Sequence, residues 1–369
     1  MSEPDYMIVG GGIVGAAIAY GLARSGERVA LLDEGDVAFR AARGNFGNVW
    51  VQGKGATCPA YADLTRGAAN DWADFAEDLA AETGIDLHFR RPGAAYICFS
   101  PEDLAKRVAV LEQSNAEARI KSVFEALDLA DLRQRLPDIG PQVAGATFCP
   151  DDGTANPLLL LRALIKAAKD LGARYLPHHG VTSVARDGDG YAAETTAGTV
   201  RAGRLVLAAG LGNAHLAPMV GLDGPVRPVR GQIMVTEKVR PFLACGTNFI
   251  RQTLEGGCIF GESVEEVGLD DGTSLPVMRD TAQKAVAAFP LLRDVRVVRA
   301  WGALRIMTPD GVPVYQASPD GSAFVVCVHS GVTLAPFHAR GFVDSLRSGS
   351  LPADRFSAFS PERFHVQTV

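Results

Sequence analysis

The chain has 369 residues, 47% hydrophobic and 21% charged, with a formal net charge of −6 at pH 7. That is long enough for two or three domains with cores of their own, in an ordinary globular balance. An acidic chain of this kind argues against a nucleic-acid partner, because phosphate binding needs a basic face.

The first element is "MIVGGGIVGAAIAYGLARSG", residues 7–26, about long enough to cross a bilayer. The residues before it are acidic rather than basic, and Gly10, Gly11 and Gly12 stand in a row, so neither a signal peptide nor a membrane span is expected. No second long apolar span follows, and the expected compartment is the cytoplasm. The stretch reads instead as a short buried strand, a glycine turn and a helix. Gly10, Gly12 and Gly15 have G-x-G-x-x-G spacing. Gly10 allows the tight turn, Gly12 lets the backbone approach a pyrophosphate, and Gly15 lets the helix pack on the sheet. Free N–H groups at the helix start, around Ile13 and Val14, favour phosphate charge. "RVALL" returns as the next strand and ends at Asp33, followed by Glu34, placed to bind ribose hydroxyls. The glycine spacing alone is weak evidence; with strand, helix and acid in place it predicts dinucleotide binding.

Next comes "EGDVAFRAARGNFGNVWVQGKG", with no regular hydrophobic period. Such a segment runs along something extended, which favours FAD over NAD(P), and Arg43, Asn45, Phe46 and Gly47 are expected along it. Trp50 either packs on the cofactor or fills the core. "GIDLHFRRPGAAYICFS" alternates as strands, and "PEDLAKRVAVLEQSNAEA" and "LADLRQRL" read as surface helices. "DDGTANPLLLLRALIKAAKDLGARYL" is a turn, a helix started by Asn156, and a strand. "GVTSVARDGDGYAAETTAGTVRAG" is two or three strands. "GRLVLAAGLGN" is a buried strand ending at Ala209 and Gly210. "VRPVRGQIMVTEKV" through "VVRAWGAL" builds an antiparallel sheet, with a helix at "PVMRDTAQKAVAAF". Near the end, "AFVVCVHSGVTLAPFHARGFVDSL" gives a strand, a glycine turn and a helix, offering the N–H groups of Gly331, Val332, Thr333 and Leu334 to a flavin ring. The six cysteines form no C-x-x-C pair, and His88, His178 and His179 lack partners at ligand spacing, so no metal site and no iron–sulfur cluster is expected in this chain.

The glycine motif, Asp33, "LAAG" and the terminal "HSG…LAP" together resemble the D-amino-acid oxidase superfamily of FAD enzymes, which includes glycine oxidase and sarcosine oxidase. Four further stretches, "RGNFGNVWVQGKG", "IRQTLEGGCIFGESVEEVG", "RAWGALRIMTPDGVPVY" and "HSGVTLAPFHA", resemble the β subunits of bacterial multi-subunit amine dehydrogenases. That group includes D-hydroxyproline dehydrogenase, the opine oxidases and hydrogen cyanide synthase. The resemblance implies an α/β architecture: a discontinuous Rossmann-like FAD-binding domain (residues 1–82, 143–225 and 300–369) with an α+β substrate domain on an antiparallel sheet (83–142 and 226–299). It also implies that the chain near Val181 passes the adenine end of FAD.

No histidine lies between Asp33 and Gly55, where some relatives attach flavin covalently, and Cys327 falls in an apolar strand, so the FAD is expected to be non-covalent. The implied reaction is oxidation of an amino-acid C–N bond by hydride transfer to flavin N5, the cofactor doing the hard chemistry. The protein's task is then to hold the substrate, and an arginine fork matches its carboxylate. Arg305 stands at the family's carboxylate-binding position, the alternative being an ion pair with an acid such as Asp310. Arg251 is second, for the further carboxylate of an opine, surface pairing being the alternative. His329 is either an electrostatic or basic element beside the flavin or a hydrogen-bonded core histidine. Two departures stand out: "LRI" replaces the common "ARP" at Arg305, and Asn48 stands where an apolar residue is expected. The subgroup implies an α subunit carrying another flavin and a small iron–sulfur subunit as partners. A self-sufficient oxidase making hydrogen peroxide and a non-catalytic electron-relay subunit are the alternatives.

Overall fold

Four apolar residues, Tyr6–Val9, form a strand (β1) buried along its whole length, in a computed structural model that describes residues 3–35, 41–42 and 44–365. The helix Ile13–Arg24 (α1) carries the chain to the strand Val29–Leu32 (β2), which pairs with β1 in parallel. Arg204–Leu207 flanks β1 on its other side, and the full order is Val314–Ala317, Ala323–Cys327, Arg204–Leu207, β1, β2, Arg174–Leu176. Only the outer pair, Val314–Ala317 with Ala323–Cys327, is antiparallel. Strands covered on both faces must be apolar at every position, hence the unbroken runs "YMIV", "VALL" and "AFVVC".

One face of this sheet is covered by α1, the helix Pro157–Asp170 and the short helix Ala335–Ala339. Asn156 caps the second of these, its side chain accepting from the N–H groups of Leu158 and Leu159 at 3.0 and 3.2 Å. The other face packs on an antiparallel three-stranded sheet, Val181–Asp187, Gly190–Thr195 and Gly198–Ala202.

Two further four-stranded sheets share a separate core. One has the order Gly246–Thr247, Ala94–Cys98, Gly145–Cys149, Glu125–Asp128. The other has the order Ile250–Gln252, Gly257–Phe260, Arg227–Lys238, Val297–Met307 and is antiparallel throughout. Val297–Met307 pairs with Arg227–Lys238 as far as Met307, with one register shift between Val235 and Thr236, so this ladder runs past the boundary expected at 300. Gly145–Cys149 likewise lies beyond 142 yet pairs with Ala94–Cys98. Cross-strand hydrogen bonds hold each strand to its partner's sheet whatever its place in the chain. The helices Pro59–Asn70 and Trp72–Thr83 carry no strong sequence signal; the second is pinned by the Trp72 indole N–H, which donates to the carbonyls of Val332 and Thr333 at 3.2 and 3.1 Å.

Candidate active site

The turn between β1 and α1 opens a cavity of about 330 Å³. Gly10 has φ +106°, and a Cβ there would meet the Ala208 carbonyl oxygen at 2.4 Å. A Cβ on Gly15 would lie 1.9 Å from the Gly10 carbonyl oxygen, so α1 can approach the turn only through glycine. At Gly12 the situation is the reverse. Among the described residues the nearest atom to a Cβ is 3.9 Å away, on Ala42, and the space it would fill is the cavity above the helix N-terminus. That open cradle fits a pyrophosphate. Asp33 accepts from the N–H of Gly11 at 2.8 Å and of Gly35 at 2.9 Å, fixing the turn, and Glu34 lines the cavity beside it.

A second cavity of about 330 Å³ continues from the first, the two sharing Ala41, Asn45, Leu304, Ile306, His329 and Val332. Together they form one elongated cleft between the six-stranded sheet and the sheet containing Arg305.

Arg305 is half-buried in the wall of the second cavity. Its Nη1 donates to the carbonyls of Ser263 at 2.8 Å and Arg230 at 3.2 Å. Burial lowers its pKa, with Glu262 and Glu265 acting the other way. Asp310, the acid expected as an alternative partner, is taken by Arg363 at 2.8 and 3.1 Å. Arg305 thus keeps its charge and donors without a carboxylate within salt-bridge distance among the described residues.

His329 borders both cavities. Burial, aided by the nearby charges of Lys54 and Arg305, pushes its imidazole down to about 3, so it is neutral at pH 7. Lys54, Tyr96, Asn48, Asn248 and Glu262 line the same cavity. Glu262 is paired with Lys284 and accepts from Asn248 at 3.1 Å. Asn48 Oδ1 is buried with no hydrogen-bond partner. Trp50 also lines the cavity, its indole N–H donating to the Gln52 carbonyl at 3.0 Å. Behind it Gln52 and the fully buried Asp152 lock together, Gln52 Nε2 donating at 2.6 Å.

Arg251 is elsewhere. It is 8% exposed, its Nε donates to the Phe46 carbonyl, and its head lines a separate cavity with His88, Arg90, Asn156 and Glu255. Burial pushes its pKa down to about 10. The segment 46–48 runs between the two cavities, so Arg251 and Arg305 are on opposite sides of it.

Of the residues expected to touch a cofactor, Gly10, Gly12, Ile13, Val14, Asp33, Glu34, Asn45, Ala209, Gly210, Gly331 and Val332 line the nucleotide end, and Phe46 and Thr333 line the adjoining cavity. Gly15 serves packing. Gly47, with φ +87°, lies under the Ala155 carbonyl instead of in the cleft. Val181 opens the strand Val181–Asp187 and does not itself line either cavity, but the residues just before it lie against the nucleotide end: the His179 N–H donates to the Asp33 carbonyl at 2.8 Å, and a Cβ on Gly180 would lie 3.1 Å from Glu34 Cβ. Leu334 is fully buried, and its N–H is already spent on the Ser330 carbonyl at 3.0 Å because residues 331–334 form a turn ahead of the helix. Arg43 lies outside the described residues. Lys54, Glu262, Tyr96 and Gly231 had no sequence signal; each reaches the cavity from a different element. No helix among the described residues is long and apolar enough to cross a membrane.

Residues 5–345 match the protein family described as FAD dependent oxidoreductase (DAO). The chain is 41% identical over 369 residues to an opine oxidase subunit of Agrobacterium tumefaciens, covering 100% of this chain and 99% of that one. It is 28% identical over 352 residues to hydrogen cyanide synthase subunit HcnC of Pseudomonas aeruginosa, with 84% of each chain covered. Among solved structures, glycine oxidase from Geobacillus kaustophilus superposes with a TM-score of 0.88 at 26% identity, over 98% of both chains.

Proposed function

Since the chain belongs to the DAO family of FAD-dependent oxidoreductases, we propose that it is the catalytic subunit of a multi-subunit dehydrogenase that oxidises the C–N bond of an amino acid or opine-type secondary amine. The observation that carries this reading is Arg305: a half-buried guanidinium oriented by two backbone carbonyls, with no acid of its own among the described residues, in a cavity continuous with the dinucleotide cradle. The 41% identity to a protein named as one of the subunits of an opine oxidase supports both the substrate class and the place in a larger assembly.

Gly10, Gly12, Ile13 and Val14 would hold the pyrophosphate, Asp33 and Glu34 the ribose, and Asn45, Ala209, Gly210, Gly331 and Val332 the remainder of a non-covalent FAD. When bound, FAD supplies a two-electron acceptor for the C–H bond next to nitrogen. The chain's own residues do the rest. Arg305 takes the substrate carboxylate and so orients the carbon beside it. His329, neutral at pH 7 because burial and two cations disfavour its charge, adds no further positive charge and leaves an acceptor for the substrate amine. Leu304, Ile306 and Val332 exclude water from the join of the two cavities.

The test is anaerobic mixing of the purified flavoprotein with a panel of amino acids and opines, following the flavin absorbance band. Bleaching by a C–N substrate supports a catalytic chain. A flavin that no member bleaches, with or without co-purifying subunits, counts against it. Slow recolouring on admitting air supports delivery of electrons to partner subunits; rapid recolouring with hydrogen peroxide supports a self-sufficient oxidase.

A further inference from the structure

We propose that Lys54 reads a second carboxylate on the substrate, so that the cavity selects secondary amines bearing an acid group on each side of the nitrogen. This rests on the functional reading above and assigns the specificity within that site.

Charge accounting in the cavity carries the argument. Two cations among the described residues line it, Arg305 and Lys54. The Lys54 ammonium has no hydrogen bond or ion pair among the described residues; only its backbone is engaged, the N–H donating to the Val51 carbonyl at 3.1 Å and the carbonyl accepting from Ser114 Oγ at 3.4 Å. Glu262 is the acid among the described lining residues, and Lys284 together with Asn248 already satisfies it. Both Lys54 and Arg305 act electrostatically on His329, which places the two cations around one imidazole. A monocarboxylate amino acid would match Arg305 and leave Lys54 unmatched in the cavity wall. A dicarboxylate matches both, and each charge-assisted contact is stronger there than in solvent.

Arg251, the cation expected from the sequence to meet a second acid group, lies behind Phe46 and faces the other cavity. Among the described residues, Lys54 is therefore the second cation on the Arg305 side. Reach also favours it: a flexible four-carbon stem can follow a carboxylate on side chains of different size, whereas Arg305 is fixed by two carbonyls.

The experiment separates recognition from oxidation by using inert ligands with sulfur in place of nitrogen. The FAD-loaded protein, with any subunit that co-purifies, is titrated with thiodiacetate (two carboxylates) and with (methylthio)acetate (one), read by perturbation of the flavin spectrum and by calorimetry. The expected result is that thiodiacetate binds about 10- to 100-fold tighter, the size of one charge-assisted contact. Lys54→Met removes that preference and leaves (methylthio)acetate unchanged, while Lys54→Arg retains it. Equal affinity for the two ligands, binding of neither, or a Lys54→Met protein that weakens both alike or loses its flavin overturns the proposal. If the preference holds but no amine reduces the flavin, the oxidation reading falls and the Lys54 assignment stands.

Discussion

The Arg305 guanidinium lies flat against Gly231: a Cβ at residue 231 would sit 2.5 Å from its Cζ, Nη1 and Nη2. The two residues are on neighbouring strands, Val229 opposite Arg305 and Gly231 opposite Ala303, and the missing side chain makes the slot in which the arginine head rests. A methyl group in that slot displaces the head of a flexible side chain and no backbone. Gly231→Ala is therefore expected to change stability by less than about 1 kcal/mol and to weaken carboxylate ligands by about 10-fold or more. Denaturant unfolding and flavin-perturbation titration measure the two effects. A large stability loss with unchanged affinity would show that the slot serves packing.

Arg305→Met and Arg251→Met are expected to part company. Removing Arg305 should weaken carboxylate ligands by about 10- to 100-fold, the weight of a charge-assisted hydrogen bond. Removing the buried Arg251 takes a donor from the Phe46 carbonyl, so the protein should lose about 1–3 kcal/mol of stability. Its affinity for an inert carboxylate in the Arg305 cavity should stay within about 3-fold of the parent, a difference under 1 kcal/mol. Equal losses of affinity in the two variants would mean that both arginines meet substrate.

Gly12→Ala and Gly15→Ala test the dinucleotide turn in opposite ways. A Cβ on Gly12 makes only an ordinary 3.9 Å contact with Ala42 among the described residues and enters the open cradle, so the chain should fold as before and bind FAD at least about 10-fold more weakly. A Cβ on Gly15 strikes a backbone oxygen 1.9 Å away, and the strain should remove about 1–3 kcal/mol from the fold itself. Flavin content per protein and unfolding midpoint, measured on both variants, decide this. A Gly12→Ala protein with full flavin content would mean that the phosphates lie elsewhere.

Stability should vary with pH in a way set by three buried groups. Burial pushes His329 and His338 down to about 3, so both are neutral when folded and gain protons on unfolding. Their contribution is complete above about pH 6.5 and is lost as pH falls toward 3. Asp152 acts in the opposite sense: burial lifts it to about 7 against the hydrogen bonds from Val51 and Gln52, so the folded protein holds a proton that the unfolded chain releases above about pH 4. Its effect is to lower stability as pH rises from there to 7. The two histidines outweigh the one carboxyl, and stability should rise from pH 5 to 7. Asp152→Asn removes the opposing slope, so the gain between pH 5 and 7, read from urea midpoints, should become larger. A gain unchanged or reduced by the substitution would contradict the proton assigned to Asp152.

Much of the fold was legible where the chain's own neighbours decide the structure. The strand–turn–helix of residues 6–24 follows from an apolar run, three spaced glycines and a helix of small residues, and the Asn156 cap follows from Asn-Pro before an apolar repeat. The ends of the sheets were less legible. Gly145–Cys149 and Val297–Met307 belong to sheets whose partners are distant in the chain, so the expected boundaries at 143 and 300 cut through ladders that pairing keeps whole. Leu334 failed as a free N–H donor for a related reason: "SGVTLAP" announces a turn and a helix, but not that Ser330 already occupies the fourth amide.

The sequence by itself determined the glycine turn and the parallel sheet around it, because steric demands at a turn and the period of an apolar run act over a few residues. Only the tertiary structure decided which charges face one another. Arg305 and Arg251 looked alike in the sequence, yet the segment 46–48 passes between them and assigns them to different cavities. Lys54, unremarked in a glycine-rich stretch, comes to share a cavity with Arg305, 251 positions later, because the strand Val297–Met307 folds over the cleft on its ladder with Arg227–Lys238. Electrostatic neighbours are set by distance through space, and for these three cations that distance is fixed by long-range strand pairing and packing.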